Sequence, residues 1–283
     1  MNRLILRRYA GEALAEDLGS GDVTTDLLVP EGTRASATLV TRAAGVVAGL
    51  ELARAVFLEL DPSLDVTLHV ADGDEVSAGA RLASITGPAR PILSGERVAL
   101  NFLGHLSGIA SLTREYVRAL EGTGARIVDT RKTAPGLREL EKYAVRCGGG
   151  HNHRMGLSDG FMLKDNHRSA LREAGVGVPE AVAEARRRMG HGVFVTLEAD
   201  SMEDVAEALE AGADGILLDN MTPEQLALAV DQIAGAALAE ASGGITLESV
   251  RAAAESGVDL ISVGALTHSA PALDVALEFD WES

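Results

Sequence analysis

From Ala125 onward the chain repeats one rhythm: a short apolar run, a polar loop, then an amphipathic helical stretch. The apolar runs are 126–129, 161–164, 193–198, 215–219, 237–241 and 260–263. Helical patterns fall between them, including 179–189, 202–211, 223–233 and 247–256, with Gly190, Gly212 and Gly257 placed as C-terminal caps. Strands alternating with helices predict βα units and a parallel sheet. Periodicity alone leaves an open or a closed sheet equally available, and the polar groups choose between them. The runs end in Thr130-Arg131-Lys132, Lys164-Asp165-Asn166, Glu198, Asp219-Asn220, Ser242-Gly243-Gly244 and Gly264-Ala265. In a βα barrel these positions converge on one rim, where such folds place their sites. A barrel is therefore expected.

The first part of the chain has a different texture. A leading helix is expected over 1–18, then the turn Gly19-Ser20-Gly21-Asp22, and strands near 35–40, 66–70 and 81–86. Residues 94–120 read as helical, with breaks near Gly104 and Gly108. The fold class is α/β, with an N-terminal α/β (α+β) domain over 1–108, a barrel over 109–269, and a tail, 270–283, that packs back on the first domain. Apolar residues make up 46% of the chain and aromatics only 3%, so the core must be built from Ala, Val, Leu and Ile. The turn 71–79 resembles that of a biotinyl or lipoyl carrier. Such modules need an attachment lysine, and none precedes Lys132.

The net charge of −17 argues against a nucleic-acid or anionic-membrane partner. Yet residues 131–168 hold eight bases against four acids, and all three lysines of the protein, Lys132, Lys142 and Lys164, lie among them. His151, His153 and His167 share the segment. A basic patch confined to an acidic chain suits a small anionic ligand. Cys147 is the only cysteine, so an intrachain disulfide is excluded and a reducing, cytoplasmic setting is expected. Residues 1–18 lack the uninterrupted apolar stretch of a signal peptide, and no window reaches membrane-spanning length.

Within the segment, Gly148-Gly149-Gly150-His151-Asn152-His153-Arg154 combines a backbone able to fold closely against a ligand with an arginine fork suited to carboxylate or phosphate. Two histidines at i, i+2 without a third ligand beyond Cys147, in basic surroundings, disfavour zinc. Arg131 and Lys132 stand side by side past a strand. Glu198 and Asp219, at two successive strand ends, can hold Mg²⁺, accept sugar hydroxyls or stabilise positive charge, although Asp219 could instead cap the helix at 223–233. Ser242-Gly243-Gly244 with Gly264-Ala265 is the loop pair that commonly binds phosphate through backbone N–H groups.

Taken together and in order, these motifs resemble the quinolinate phosphoribosyltransferase family over nearly the whole chain. The resemblance also rests on 16–25, 94–103, Glu141-Lys142-Tyr143-Ala144, Lys164-Asp165-Asn166-His167, 240–245 and 262–269. It implies an incomplete, roughly seven-stranded barrel and a homodimer in which Arg97 completes the neighbouring subunit's site. It implies transfer of phosphoribose from phosphoribosyl diphosphate to quinolinate with decarboxylation, as in de novo NAD biosynthesis. Arg97, Thr130, Arg131, His153, Arg154 and Lys164 would then surround quinolinate. Lys132, Glu198, Asp219, Ser242, Gly243, Gly244, Val263, Gly264, Ala265 and His268 would face the phosphoribosyl diphosphate, with Lys132, Glu198 and Asp219 as catalytic groups. Mg²⁺ would be held mainly by the diphosphate, near Glu198 and Asp219. Lys142 is expected to be scaffold.

The chain departs from the family pattern at Thr196, where a Glu-x-Glu strand would have its first glutamate, at Gly104-His105, and over 168–178. Three rival functions remain: a same-fold phosphoribosyltransferase of another aromatic acid, as in molybdenum-transport-associated relatives; a Schiff-base lyase using Lys132 or Lys164; and a non-catalytic anion binder.

Overall fold

A computed structural model describes residues 1–281, and the chain divides into two compact units. The first comprises 1–114, 139–149 and the described residues from 269 onward; the second comprises 115–138 and 150–268. The division is interleaved along the chain, with 139–149 and the stretch from 269 onward grouped with the first unit. Glu282 and Ser283, the end of the expected tail, lie outside the described residues.

In the first unit a four-stranded antiparallel sheet is ordered Val275–Asp280, Arg34–Thr41, Arg81–Pro88, Asp65–Leu68. The C-terminal strand pairs with Arg34–Thr41 over Ser36↔Asp280 to Thr41↔Val275. Helices Arg3–Leu18 and Leu50–Leu60 pack on each other, and Leu50, Leu52, Ala53, Val56 and Phe57 are almost wholly buried. That apolar pattern at i, i+2, i+3, i+6 and i+7 is the core-facing stripe of an amphipathic helix.

The helix Ala89–Ala119 runs for 31 residues without interruption, so Gly104 and Gly108 are not the breaks their helix-lowering propensity suggested. They are close-approach points. A Cβ at Gly108 would overlap the carbonyl oxygen of Pro271 and come within 2.9 Å of its carbon, and one at Gly104 would stand 3.0 Å from the Leu273 oxygen. Tertiary contact has overridden local preference.

The second unit holds a six-stranded parallel sheet in the order Arg126–Val128, Leu260–Ser262, Leu238–Ser242, Gly215–Asp219, Val195–Ala199, Phe161–Leu163. The order is that of a βα barrel left open beside its first strand. A seventh strand is reduced to one bridging residue, His151, which gives its N–H to Ile127 O and takes the N–H of Asp129. Helices between strands follow their sequence signals: Thr222 caps Pro223–Ile233 in a capping box with Gln225, which releases Asp219 from that task. Gly212 and Gly257 take left-handed backbone after their helices, but Gly190 does not; that helix ends at Met189 in extended conformation and Gly192 makes the turn.

The two helical glycine types can be told apart by unfolding. Gly108→Ala should lower the midpoint of thermal unfolding, because overpacking against Pro271 costs about 1–3 kcal/mol. Gly11, in Arg3–Leu18, has nothing within 4 Å of a Cβ. Gly11→Ala should raise the midpoint through a gain of roughly 0.5–1 kcal/mol. Equal shifts in the two variants would contradict the packing account.

Candidate active site

Polar side chains gather at the C-terminal ends of the second unit's strands. Asp129, one residue past the first strand, is fully buried and organises the loop beside it. Its Oδ1 accepts the His153 N–H at 2.9 Å and its Oδ2 accepts the Asn152 amide at 2.6 Å. His153 Nδ1 in turn accepts the Arg154 N–H at 2.9 Å, and its Nε2 lies 3.2 Å from Glu240 Oε2. The Arg154 guanidinium reaches Gly160 O at 3.2 Å and Met162 Sδ at 3.4 Å. Its pKa is lowered from the ordinary guanidinium value, first by burial and then by the neighbouring positive charge of Arg131. Neighbouring guanidinium groups are suited to carboxylate or phosphate oxygens. A cavity of about 250 Å³ adjoins Arg154, lined also by Asn152, His153, Phe161, Phe194 and Thr196 among others.

Thr130 turns the next residues: its hydroxyl accepts the Lys132 N–H at 3.0 Å. Lys132 is tied to the last barrel loop, where Thr267 Oγ1 donates to the Lys132 carbonyl at 2.7 Å. Gly264 is the close-packing point of this corner. A Cβ there would stand 2.9 Å from Lys132 Cδ and 3.2 Å from His268 Nε2. Val263, buried behind it, gives its N–H to Val128 O, and Ala265 opens the short helix Ala265–His268. The neighbouring loop is shaped by Gly243 (φ 97°) and Gly244 (φ 59°), which take left-handed backbone that side chains resist. A Cβ at Gly243 would overlap Asn220 Oδ1. Asn220, itself at φ 56°, gives its backbone N–H to Ser242 O and its amide to Asp219 Oδ2 at 2.8 Å.

Glu198 is 7% exposed and held on three sides. Its Oε2 pairs with Lys164 Nζ, its Oε1 accepts the Asp165 N–H at 3.4 Å, and its backbone carbonyl accepts Arg168 Nη2 at 3.0 Å. Arg168 is itself neutralised by Asp204 and Glu207. The Asp200 carboxyl is pushed above its ordinary range, by burial first and then by Glu198, Asp219, Asp204 and Asp165. Excess negative charge carried on carboxylate oxygens suits a hard divalent cation. Among the described residues, however, no three His, Cys, Asp or Glu side chains converge to hold a metal ion unaided. A Mg²⁺ bound here therefore fits only with oxygens from a ligand completing its shell.

The structure thus joins Arg131 with Arg154, Lys164 with Glu198, Lys132 with Gly264 and His268, and Asp219 with the Ser242 loop. Arg97 lies exposed on Ala89–Ala119 in the first unit, with no hydrogen-bond or ion partner among the described residues. Lys142 is buried in the helix Arg138–Cys147. Gly148, read as a ligand-facing glycine, instead packs on Ala110 and Thr113 within the first unit. Sequence reasoning left Asp129, Asn152, Arg168, Asp200 and Glu240 without roles. Glu240 had a signal: one charge in the otherwise apolar run 237–241. A cleft of about 920 Å³ belongs to the first unit, and of the three arginines that line it Arg7 and Arg54 are paired with Glu59 and Glu51.

Comparison with known proteins places this arrangement. Residues 22–107 match the quinolinate phosphoribosyl transferase N-terminal domain, and residues 109–278 match its C-terminal domain. A probable nicotinate-nucleotide pyrophosphorylase [carboxylating] of Bacillus subtilis is 44% identical over 278 residues, covering 98% of this chain and 94% of the relative. The chloroplastic nicotinate-nucleotide pyrophosphorylase [carboxylating] of Arabidopsis thaliana is 43% identical over 286 residues, covering 95% of this chain and 81% of the relative. The solved structure of the nicotinate-nucleotide pyrophosphorylase from Francisella tularensis superposes with a TM-score of 0.93 at 38% identity, covering 99% of this chain and 98% of that one. The chain belongs to the quinolinate phosphoribosyltransferase family.

Proposed function

We propose that the protein transfers phosphoribose from phosphoribosyl diphosphate to quinolinate with loss of CO₂, giving nicotinate mononucleotide and diphosphate for de novo NAD biosynthesis. The observation that carries this reading is the opposed pair Arg131 and Arg154 on the rim of a family barrel. The pair is relieved when a dicarboxylate enters, and a monocarboxylate would leave part of the positive charge unmatched. Thr130, His153 and Lys164 complete that half of the site, and Arg97 of a neighbouring subunit closes it, which makes the working form a homodimer.

Lys132, Ser242, Gly243, Gly244, Val263, Gly264, Ala265 and His268 receive the phosphoribosyl diphosphate. The left-handed turn at Gly243 and Gly244 leaves backbone N–H groups for phosphate oxygens, and Lys132 adds a mobile point charge. When bound with the diphosphate, Mg²⁺ supplies neutralisation of the leaving group's charge. Glu198 and Asp219 act on the sugar. As the bond to diphosphate lengthens, ribose gains positive character, which fixed carboxylates stabilise without reorganising. The pyridine nitrogen then bonds to the ribose carbon and becomes cationic. The adjacent ring carbon loses CO₂, retains the bonding electrons beside the cationic nitrogen, and takes up a proton. The protein's task in this step is to place the dianion among cations.

Lys164 and Glu198 neutralise each other. Arrival of the dicarboxylate gives Lys164 a second anion and loosens that hold. A cytoplasmic location accords with the solitary Cys147, and among the described residues no helix is long and apolar enough to cross a membrane.

Radiolabelled CO₂ should be released from carboxyl-labelled quinolinate, equimolar with nicotinate mononucleotide, only when phosphoribosyl diphosphate is present; absence of release overturns the substrate assignment. Glu198→Gln should lower kcat by about 100-fold, a typical loss for one preorganised electrostatic group, with little change in quinolinate KM. An effect confined to KM would remove its electrostatic role. Arg97→Ala and Lys132→Ala should each be inactive, while a reassociated mixture should recover about a quarter of wild-type activity, because half of a hybrid dimer's sites are intact. Failure of complementation would argue against the shared site.

A further inference from the structure

The strand Leu238–Ser242 carries a single charged side chain, Glu240, and buries it to 4% exposure. Its Oε1 has no hydrogen-bond partner among the described residues, and its Oε2 lies 3.2 Å from His153 Nε2. Register places Glu240 and Glu198 opposite the same residue, Leu217, from either side, so the two carboxylates share one level of the sheet. A buried carboxylate with so little compensation is costly, and a purely structural position would favour an apolar residue. Its neighbour indicates the use. His153 Nδ1 accepts the Arg154 N–H at 2.9 Å and therefore carries no proton. The ring proton is left on Nε2, facing Glu240. An imidazolium would set an Nδ1–H against the Arg154 N–H, donor against donor.

We propose that Glu240 is a positioning residue for the pyridine-dicarboxylate half of the site. Its carboxylate selects the Nε2–H tautomer of His153 and fixes the ring beside Arg154. The assignment of that half-site rests on the phosphoribosyl-transfer reading above. On this account His153 shapes the pocket without adding charge, and the cations that the same subunit turns to the dianion are Arg131, Arg154 and Lys164. The backbone is secured separately, since Asp129 holds the His153 N–H and the Asn152 amide. Loss of Glu240 should therefore release the ring while leaving the loop in place.

The test uses the full-length protein with nitrogen-labelled histidine rings, and proton–nitrogen correlation spectra that separate the tautomers. The His153 signals are identified by their loss in His153→Gln. The wild-type protein should show neutral His153 with its proton on Nε2, and Glu240→Gln should keep it, because an amide carbonyl still accepts that proton. Glu240→Leu should give mixed tautomers. In kinetics, Glu240→Leu should raise the quinolinate KM about tenfold, the scale expected for losing the partner that orients a working imidazole, while the KM for phosphoribosyl diphosphate stays constant. Glu240→Gln should restore the quinolinate KM to within about twofold of wild type. An imidazolium or Nδ1–H tautomer in the wild-type protein overturns the proposal, and so does equal impairment of the Gln and Leu variants. The spectra read the tautomer without any turnover, so failure of quinolinate as a substrate would sink the substrate assignment and leave this result standing.

Discussion

The rim depends first on Asp129. Where a complete barrel would run a seventh strand beside the first, this chain has one bridging residue, His151, and then a loop. Backbone groups at such a seam lack ladder partners, and leaving a buried N–H unpaired costs about 1–3 kcal/mol. The buried Asp129 carboxylate supplies the missing acceptor to His153 N and takes the Asn152 amide as well. Arg154 follows immediately, its own N–H satisfied by the His153 ring. The guanidinium that confronts Arg131 is thus placed by a carboxylate that never needs to meet a ligand.

Charge is arranged in the same economical way. A chain of net −17 confines its ammonium groups to one segment and then constrains the two that lie at the rim. Lys164 is held by Glu198, and the aliphatic stem of Lys132 packs over Gly264. Arg154 is disfavoured as a cation first by burial and then by the neighbouring charge of Arg131, and on the proposed function a dianion relieves both. On the opposite flank, Asp200 is discouraged from ionising by Glu198, Asp219, Asp204 and Asp165. The site therefore carries separated regions of excess positive and negative charge. A dicarboxylate and a developing sugar cation match them in turn.

Much of this was legible in the sequence because parallel strands bury both faces and end abruptly in polar residues. The runs at 215–219 and 260–263 lie within a residue of the observed strands Gly215–Asp219 and Leu260–Ser262. What was not legible depended on contacts distant in sequence. Gly104 and Gly108 look like helix breaks until 271–273 is seen lying against them. Gly148 looks like a ligand loop until Ala110 and Thr113 occupy its missing side chain. Asp129 stood beside Arg131 and Lys132 in the sequence, and the cations drew attention from the carboxylate that organises them. Glu240 was visible as an anomaly in an apolar run, but only the 3.2 Å approach of His153 gives it a role.

The two sugar-side carboxylates also prove unequal, in a way that spacing could not show. Glu198 has both oxygens and its backbone carbonyl engaged, by Lys164, Asp165 and Arg168. Arg168 is itself fixed by Asp204 and Glu207, so the position of Glu198 is determined several contacts deep. Asp219 is half-buried and held through Asn220, a residue in left-handed backbone that Asn tolerates better than most. With Thr196 in place of a second strand glutamate, Glu198 is the one carboxylate within Val195–Ala199. A rigid carboxylate can present a fixed field to a charge that forms briefly. A carboxylate on an adaptable turn can follow a ligand's hydroxyls or a cation as they arrive. On the proposed function, the fixed setting of Glu198 suits preorganised stabilisation, and the turn that holds Asp219 suits contact with a ligand's hydroxyls or cation.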